Sequence, residues 1–443
     1  MQDWLTMTAA DLGWGIAEGR ISPLALTRCY LDAIDAHPER ERIYTEVTPD
    51  RAMAEAQAAE ERARAGLRRS PLDGVPLSWK DLFDSAGVAT ESGSDLLKGR
   101  VPDRDALVLR NATQMGAVCL GKTHMSELAF SGLGYNPVKQ TPPCINDAAA
   151  APGGSSSGAA ASVAFGLAAG AIGSDTGGSV RIPSAWNDLV GLKTTAGRIP
   201  LEGVVPLCLK FDTIGPLARS VEDAGLLLGL LEGRAGQDLR NPAPLRGRRF
   251  ADLQTVAQAD LDPVVAAAHQ AALDRLRDAG AEILPLEVPE LEDAMGLSPI
   301  LFTTEAYGLW KDVIENAPHL MYPEILERFR SGAQFSGADY VAAWQQLERL
   351  RKIWAQAVAG YEAVLTPAAP ILPPNLDRLQ SDHDYYVRSN LMALRNTRIG
   401  NLMGLCGLSL PTGTPSCGLQ VLGAANGEEA LLRIGAAIET ALA

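Results

Sequence analysis

Two serine-bearing glycine turns lie close together in this chain, Gly153-Gly154-Ser155-Ser156-Ser157-Gly158 and Gly173-Ser174-Asp175-Thr176-Gly177-Gly178-Ser179, with an alanine-rich apolar stretch between them. Paired glycines reach backbone conformations closed to other residues, so consecutive N–H groups can converge on one point beside a serine hydroxyl. A third feature belongs with them: Lys80 ends the apolar run Val75-Pro76-Leu77-Ser78-Trp79. A serine hydroxyl is a weak nucleophile at neutral pH, and needs a neighbour to take its proton and N–H groups to receive the oxyanion. A lysine after such a run is at least partly buried. Desolvation then lowers its pKa from about 10.4 toward neutrality, which makes the amine available as a base.

Each element has a blander reading. The turn at Thr176–Ser179 could be an anion nest for phosphate, but the lysine of a phosphate-binding loop is missing and Ser179-Val180-Arg181 takes its place. Gly154-x-Ser156-x-Gly158 fits a nucleophile elbow, which needs a preceding strand; Ala148–Ala151 followed by Pro152 is a poor one, and no oxyanion loop of the HGGG type accompanies it. A flexible Gly/Ser linker would not be flanked by an apolar helix (Ala159–Ala169) and a second glycine turn. Lys80 could instead pair with Asp81 or Asp84 at the surface. None of the five histidines sits in a catalytic or metal-ligand motif, and only His124 is near the turns in sequence.

Composition narrows the function classes. The net charge of −14, with no Lys/Arg-rich run, opposes direct binding to nucleic acid or anionic lipid. The six cysteines are scattered without a C-x-x-C pair, which suggests neither zinc nor a disulfide framework. Residues 1–4 lack a basic region leading into an apolar stretch, and residues 159–172 are too short and glycine-interrupted to span a bilayer. The expected location is the cytoplasm.

Along the chain, Ser22-Pro23 and Asp50–Gly66 predict peripheral helices. From Pro71, short apolar runs (75–79, 117–120, 171–172) alternate with helical stretches such as 105–115, the pattern of an α/β fold with a mixed, largely buried sheet. The Arg/Pro/Gly-rich segment 238–247 reads as a linker or excursion before a helix at 263–280 and a strand at 282–286. Residues 297–361 are helical and carry Trp310, Tyr322, Phe329 and Trp344, consistent with a cap over a pocket or with core packing. Strands at 364–367 and 408–411 and a terminal helix at 428–442 follow. At 443 residues, the chain suits one large α/β domain or two sharing a core.

The segment Gly153–Pro183 resembles the defining stretch of the amidase signature family, and Leu72–Pro76, Leu120–Thr123, Asp212–Pro216 and Gly418–Gln420 are similar to further family segments. The resemblance covers nearly the whole chain. It implies a single domain over residues 1–443, with a twisted mixed sheet covered by helices, a catalytic core at 70–235 and a cap at 297–361. It further implies a Ser-Ser-Lys triad: Ser179 as nucleophile, Ser155 as the bridging serine on a cis peptide, and Lys80 as ultimate base. Thr176, Gly177, Gly178 and Ser179 would form the oxyanion hole, Asp175 and Arg181 would brace the loop, and Ala129, Ser131 and Gly132 would touch substrate. The implied reaction is hydrolysis of a small linear carboxamide through a seryl acyl-enzyme, without metal or organic cofactor, and with a homodimer as one assembly. Departures occur at Trp186-Asn187-Asp188 and Cys208–Phe211. The alternative within the family is the glutaminase component of a tRNA-dependent amidotransferase, against which Arg181-Ile182-Pro183 stands where those proteins carry Arg-Gln-Pro. A scaffold that keeps the fold without catalysis is the third reading.

Overall fold

Strands that are apolar on both faces must be covered on both faces, and most strands of this chain are of that kind. The structure, a computed structural model, describes residues 2–443; Met1, where the N-terminal reading begins, lies outside the described residues. Eleven strands form one sheet: β1 (Tyr44–Val47), β2 (Pro76–Lys80), β3 (Val118–Thr123), β4 (Gly170–Asp175), β5 (Val190–Lys193), β6 (Thr213–Ala218), β7 (Arg249–Leu253), β8 (Glu282–Leu286), β9 (Ala363–Pro367), β10 (Cys406–Pro411) and β11 (Gly418–Gly423). Their order is β1-β3-β2-β4-β6-β5-β10-β11-β9-β7-β8. β2 runs parallel to β3 and to β4, whereas β4, β6, β5, β10, β11 and β9 alternate in direction. β7 and β8 return to parallel pairing beside β9. The α/β expectation of a mixed sheet flanked by helices therefore holds. The strands after 238–247 join those before it where β10 pairs with β5, so the chain forms a single domain.

Local chemistry explains the helices around this sheet. Ser22 accepts from Ala25 N ahead of Pro23, and the helix Pro49–Ala65 stops at Gly66 in the left-handed conformation, φ +70°. The helix expected at 159–169 spans Ser157–Ala164 instead. Gly166 adopts φ +73°, and the N–H groups of Leu167 and Ala168 both turn back to Ser162 O, which ends the helix before its apolar composition does.

Three long elements fill the expected cap, the helices Ser298–Asn316, Pro323–Arg330 and Gly337–Ala357. Its aromatics mainly pack inward. Trp344 stacks on Phe211, Phe329 meets Phe130 edge to face at 4.7 Å, and Trp310 Nε1 donates to Pro206 O. These contacts tie the cap to Phe130, before the glycine turns in the chain, and to Pro206 and Phe211, after them.

Candidate active site

β2 and β4 are parallel neighbours with Trp79 opposite Ile172, so Lys80 and Ser174 emerge side by side at their carboxyl ends, where open α/β sheets bind ligands. The helix Ser157–Ala164 packs on β4, and the turn before it brings Ser155 to the same place. Lys80 is fully buried, and its Nζ lies 2.7 Å from Ser155 Oγ and 2.8 Å from Ser174 Oγ. The acids next to it in sequence are engaged elsewhere, Asp81 with Lys122 and Asp84 with Arg100. Burial pushes the Lys80 pKa down to about 7, against the pull of the Asp175 and Asp212 carboxylates.

Ser179 follows β4 in the turn that leads into the helix Arg181–Trp186. Ser156 N donates to Ser179 O at 3.2 Å, which lays the two glycine turns against each other, and the Gly154–Ser155 peptide is cis. Ser179 Oγ makes no hydrogen bond with a described residue, and neither do the backbone N–H groups of Thr176, Gly177, Gly178 and Ser179. Four consecutive donors without a protein acceptor are unusual in an interior, where backbone groups are nearly always paired. Gly178 has φ +142°, and a Cβ there would run into the Thr397 side chain, so both backbone and space call for glycine.

The walls of this turn are heavily bonded. Asp175 and Arg181 are both fully buried and paired at 2.9 Å. Arg181 also donates to Thr397 O, Gln420 Oε1 and Asn401 Oδ1, and Val180 N donates to Asp175. Burial alone would raise the Asp175 pKa, but the Arg181 charge and hydrogen bonds bring it down to about 2. Thr176 Oγ1 donates to Asp212, which also accepts from Leu207 N and Cys208 N.

A cavity of about 210 Å³ opens onto Thr176, Gly177 and Ser179. Ala129 and Ser131 are on its wall; Gly132 lies behind them, its N–H donating to Asn390 Oδ1 and its Cα facing Leu394. Leu128 and Ala129 hold positive φ angles of 45° and 60°, a strained backbone of the kind found where a wall must be shaped. Segment 297–361 contributes Ser298, Pro299, Phe302, Thr303, Arg328 and Ser331 to the cavity wall, and none of the four aromatics singled out in the sequence. His124 sits apart, in a second cavity with Glu41, Asp81 and Lys139; burial pushes its pKa down to about 4. Ser156 Oγ faces Ser174 O, not the cavity of Ser179.

Comparison with known proteins gives the class, a hydrolase acting on carbon–nitrogen bonds. A family model described as Amidase matches residues 25–432, and the chain belongs to that family. It is 36% identical over 400 residues to a 2-amino-5-chloromuconic acid deaminase of Comamonas testosteroni, covering 88% of this chain and 86% of the relative. It is 33% identical over 474 residues to a glutamyl-tRNA(Gln) amidotransferase subunit of Anaeromyxobacter sp. (strain K), covering 98% and 95%. A solved amidase structure superposes with a TM-score of 0.88 at 29% identity, covering 98% of this chain and 99% of that one.

Sequence reasoning missed Ser174 as the second partner of Lys80, and missed Arg328 and Arg398 on the cavity wall. Ser174 could have been found from strand register, since it stands one pleat beyond the residues paired with β2. The two arginines carry no local motif.

Proposed function

We propose that the protein hydrolyses the C–N bond of a small linear carboxamide through an acyl-enzyme on Ser179. Neutral Lys80 takes a proton from Ser155 as Ser155 takes the proton of Ser179, and the Ser179 oxygen attacks the amide carbonyl. The oxyanion is received by the N–H groups of Thr176, Gly177, Gly178 and Ser179. As the C–N bond breaks, the relay returns its proton to the leaving amine, and water then cleaves the ester by the same route. The Ser179 hydroxyl has no described partner, so turning it onto Ser155 breaks no hydrogen bond.

The observation that carries this reading is the environment of Lys80: no exposure, two hydroxyl partners and no carboxylate in contact. The other two fully buried lysines are held differently, Lys122 by the Asp81 carboxylate and Lys193 by the carbonyls of Thr194 and Leu405, and only Lys80 is held by hydroxyls alone, which can pass on a proton. Within this scheme, residues 70–235 form the catalytic core, residues 297–361 the cap, and Ala129 and Ser131 contact substrate. A cytoplasmic setting is in keeping with cysteines that no disulfide joins among the described residues. No described helix is long and apolar enough to cross a membrane. The charge of −14 argues against direct contact with nucleic acid.

A fluorophosphonate or sulfonyl fluoride should modify Ser179, identified by peptide mapping. Modification of Ser156 would favour the elbow arrangement, and complete inertness would favour a scaffold. The glutaminase reading, suggested by the amidotransferase relatives, requires partner proteins. It predicts that ammonia release by the single chain fails on simple amides and appears with glutamine only in an assembly.

A further inference from the structure

The active-site cavity has walls of one charge sign. Its ionisable lining residues are Arg328, from the helix Pro323–Arg330, and Arg398, from the helix His383–Leu402, and no Asp, Glu, Lys or His lines it. Arg398 forms no hydrogen bond or ion pair with a described residue. Arg328 donates to Phe130 O at 2.9 Å and lies 4.4 Å over the Phe130 ring, but has no carboxylate partner. Glu324 and Glu327 border Arg328 on the far side, in a separate cavity, where Glu324 is engaged by His383 at 2.6 Å.

Burial pushes Arg328 down to about 10 and Arg398 down to about 9, the latter also through the charge of Arg328. Two guanidiniums on one cavity wall, with the charge of Arg328 disfavouring that of Arg398 and only apolar and hydroxyl groups around them, are an arrangement that an anion stabilises. The rest of the chain is strongly acidic, so this local concentration of positive charge is not a general surface property. A guanidinium presents a planar fork of donors matched to a carboxylate.

We propose that the substrate carries a carboxylate, held by Arg328 and Arg398 while its carboxamide lies at Ser179, as in the monoamide of a small dicarboxylic acid. This rests on the amidase reading and specifies its substrate class. The cavity of about 210 Å³ suits a small acid amide rather than a peptide.

The test is ammonia release from succinamate, glutaramate and adipamate against neutral straight-chain amides of equal length. It is paired with titration of the matching dicarboxylates as ligands, followed by calorimetry. The unmodified enzyme should prefer at least one anionic amide over its neutral counterpart and bind the corresponding dicarboxylate, more weakly as salt rises. Arg398→Gln and Arg328→Gln should each lower the anionic-to-neutral ratio of kcat/KM about 10- to 100-fold, mainly through KM, the scale of a lost charged hydrogen bond. Arg398→Lys should recover part of that ratio. Hydrolysis of neutral amides with no preference for anionic ones, or dicarboxylate binding unchanged in both variants, overturns the carboxylate site while leaving the amidase reading intact. Dicarboxylate binding that depends on both arginines, with no amide hydrolysed, supports the site and removes the amidase reading. If a variant does not fold, the selectivity and dicarboxylate affinity of the unmodified enzyme decide alone.

Discussion

Replacing Lys80 with methionine should abolish turnover and at the same time change how stability depends on pH, and the second effect tests the buried neutral amine directly. The side chain is fully buried, and its pKa lies at about 7 in the fold against an ordinary value of 10.5. Between those values the unfolded chain binds a proton that the folded chain does not, so the native protein gains stability as pH rises. Below about 7 both states are protonated, and the full penalty of burying the ammonium is present. Each pKa unit corresponds to about 1.36 kcal/mol, so Lys80 costs the fold on the order of 5 kcal/mol in acid. Lys80→Met removes that titration, and also leaves the Ser155 and Ser174 hydroxyls without their amine partner, a cost of about 1–3 kcal/mol each that does not vary with pH. The pH-dependent part is therefore separable. From about pH 6 to about pH 9 the stability of the variant relative to the parent should fall by about 3 kcal/mol, most of it above pH 7, while titrating groups that do not interact with Lys80 cancel in the difference. Urea unfolding of both proteins at several pH values measures it. Parallel stability curves would refute a lysine held neutral by burial, and with it the proposed base.

The same ionisation governs rate: kcat/KM for an uncharged amide should fall about tenfold per pH unit below about pH 7, because only the neutral amine accepts a proton, as read from an initial-rate profile. Gly178→Ala places a methyl group against Thr397 and shifts the turn that carries the oxyanion donors; kcat should drop by roughly 10² to 10³, with circular dichroism confirming the fold. Asp175→Asn removes a carboxylate that raises the Lys80 pKa, so the acid limb of the rate profile should move to lower pH. The same change leaves Arg181 buried without its counterion, and denaturant unfolding should report a loss of about 3–5 kcal/mol.

What could be read from the sequence was what is local in the chain. Glycine pairs beside serines announce a backbone nest because the requirement is stereochemical and needs no knowledge of distant contacts, and the turns at 153–158 and 173–179 do meet, through Ser156 N and Ser179 O. The burial of Lys80 was legible because it ends the apolar run 75–79, and all five residues of β2 are buried. The end of the helix at Ala164 was not: alanine composition continues, and Gly166 overrides it. Ser174 was hidden because any serine beside an aspartate looks alike until the register of β2 on β4 places it next to Lys80. The cap aromatics left pocket wall and core packing equally open for a related reason. Trp344 and Phe329 have the composition of a pocket wall, but Phe211 and Phe130 lie opposite them and draw them into packing.

The parts that were legible and those that were not divide along a functional line. The proposed nucleophile, bridging serine and oxyanion donors come from two neighbouring turns, joined only to Lys80 on the adjacent strand, and their geometry is fixed by Asp175, Arg181 and the close approach of Thr397 to Gly178. The cavity wall is drawn from segments far apart in the chain, around 129–131, 207, 298–303, 328–331 and 391–398. Neither Arg328 nor Arg398 on that wall bonds to the glycine turns, so replacing either removes none of their hydrogen bonds. A change at Arg328 or Arg398 can therefore alter which amide is accepted while Lys80, Ser155 and Ser179 keep their positions. Relatives at 36% and 33% identity that bear different names are what such a separation would produce, with a shared turn chemistry and walls free to diverge.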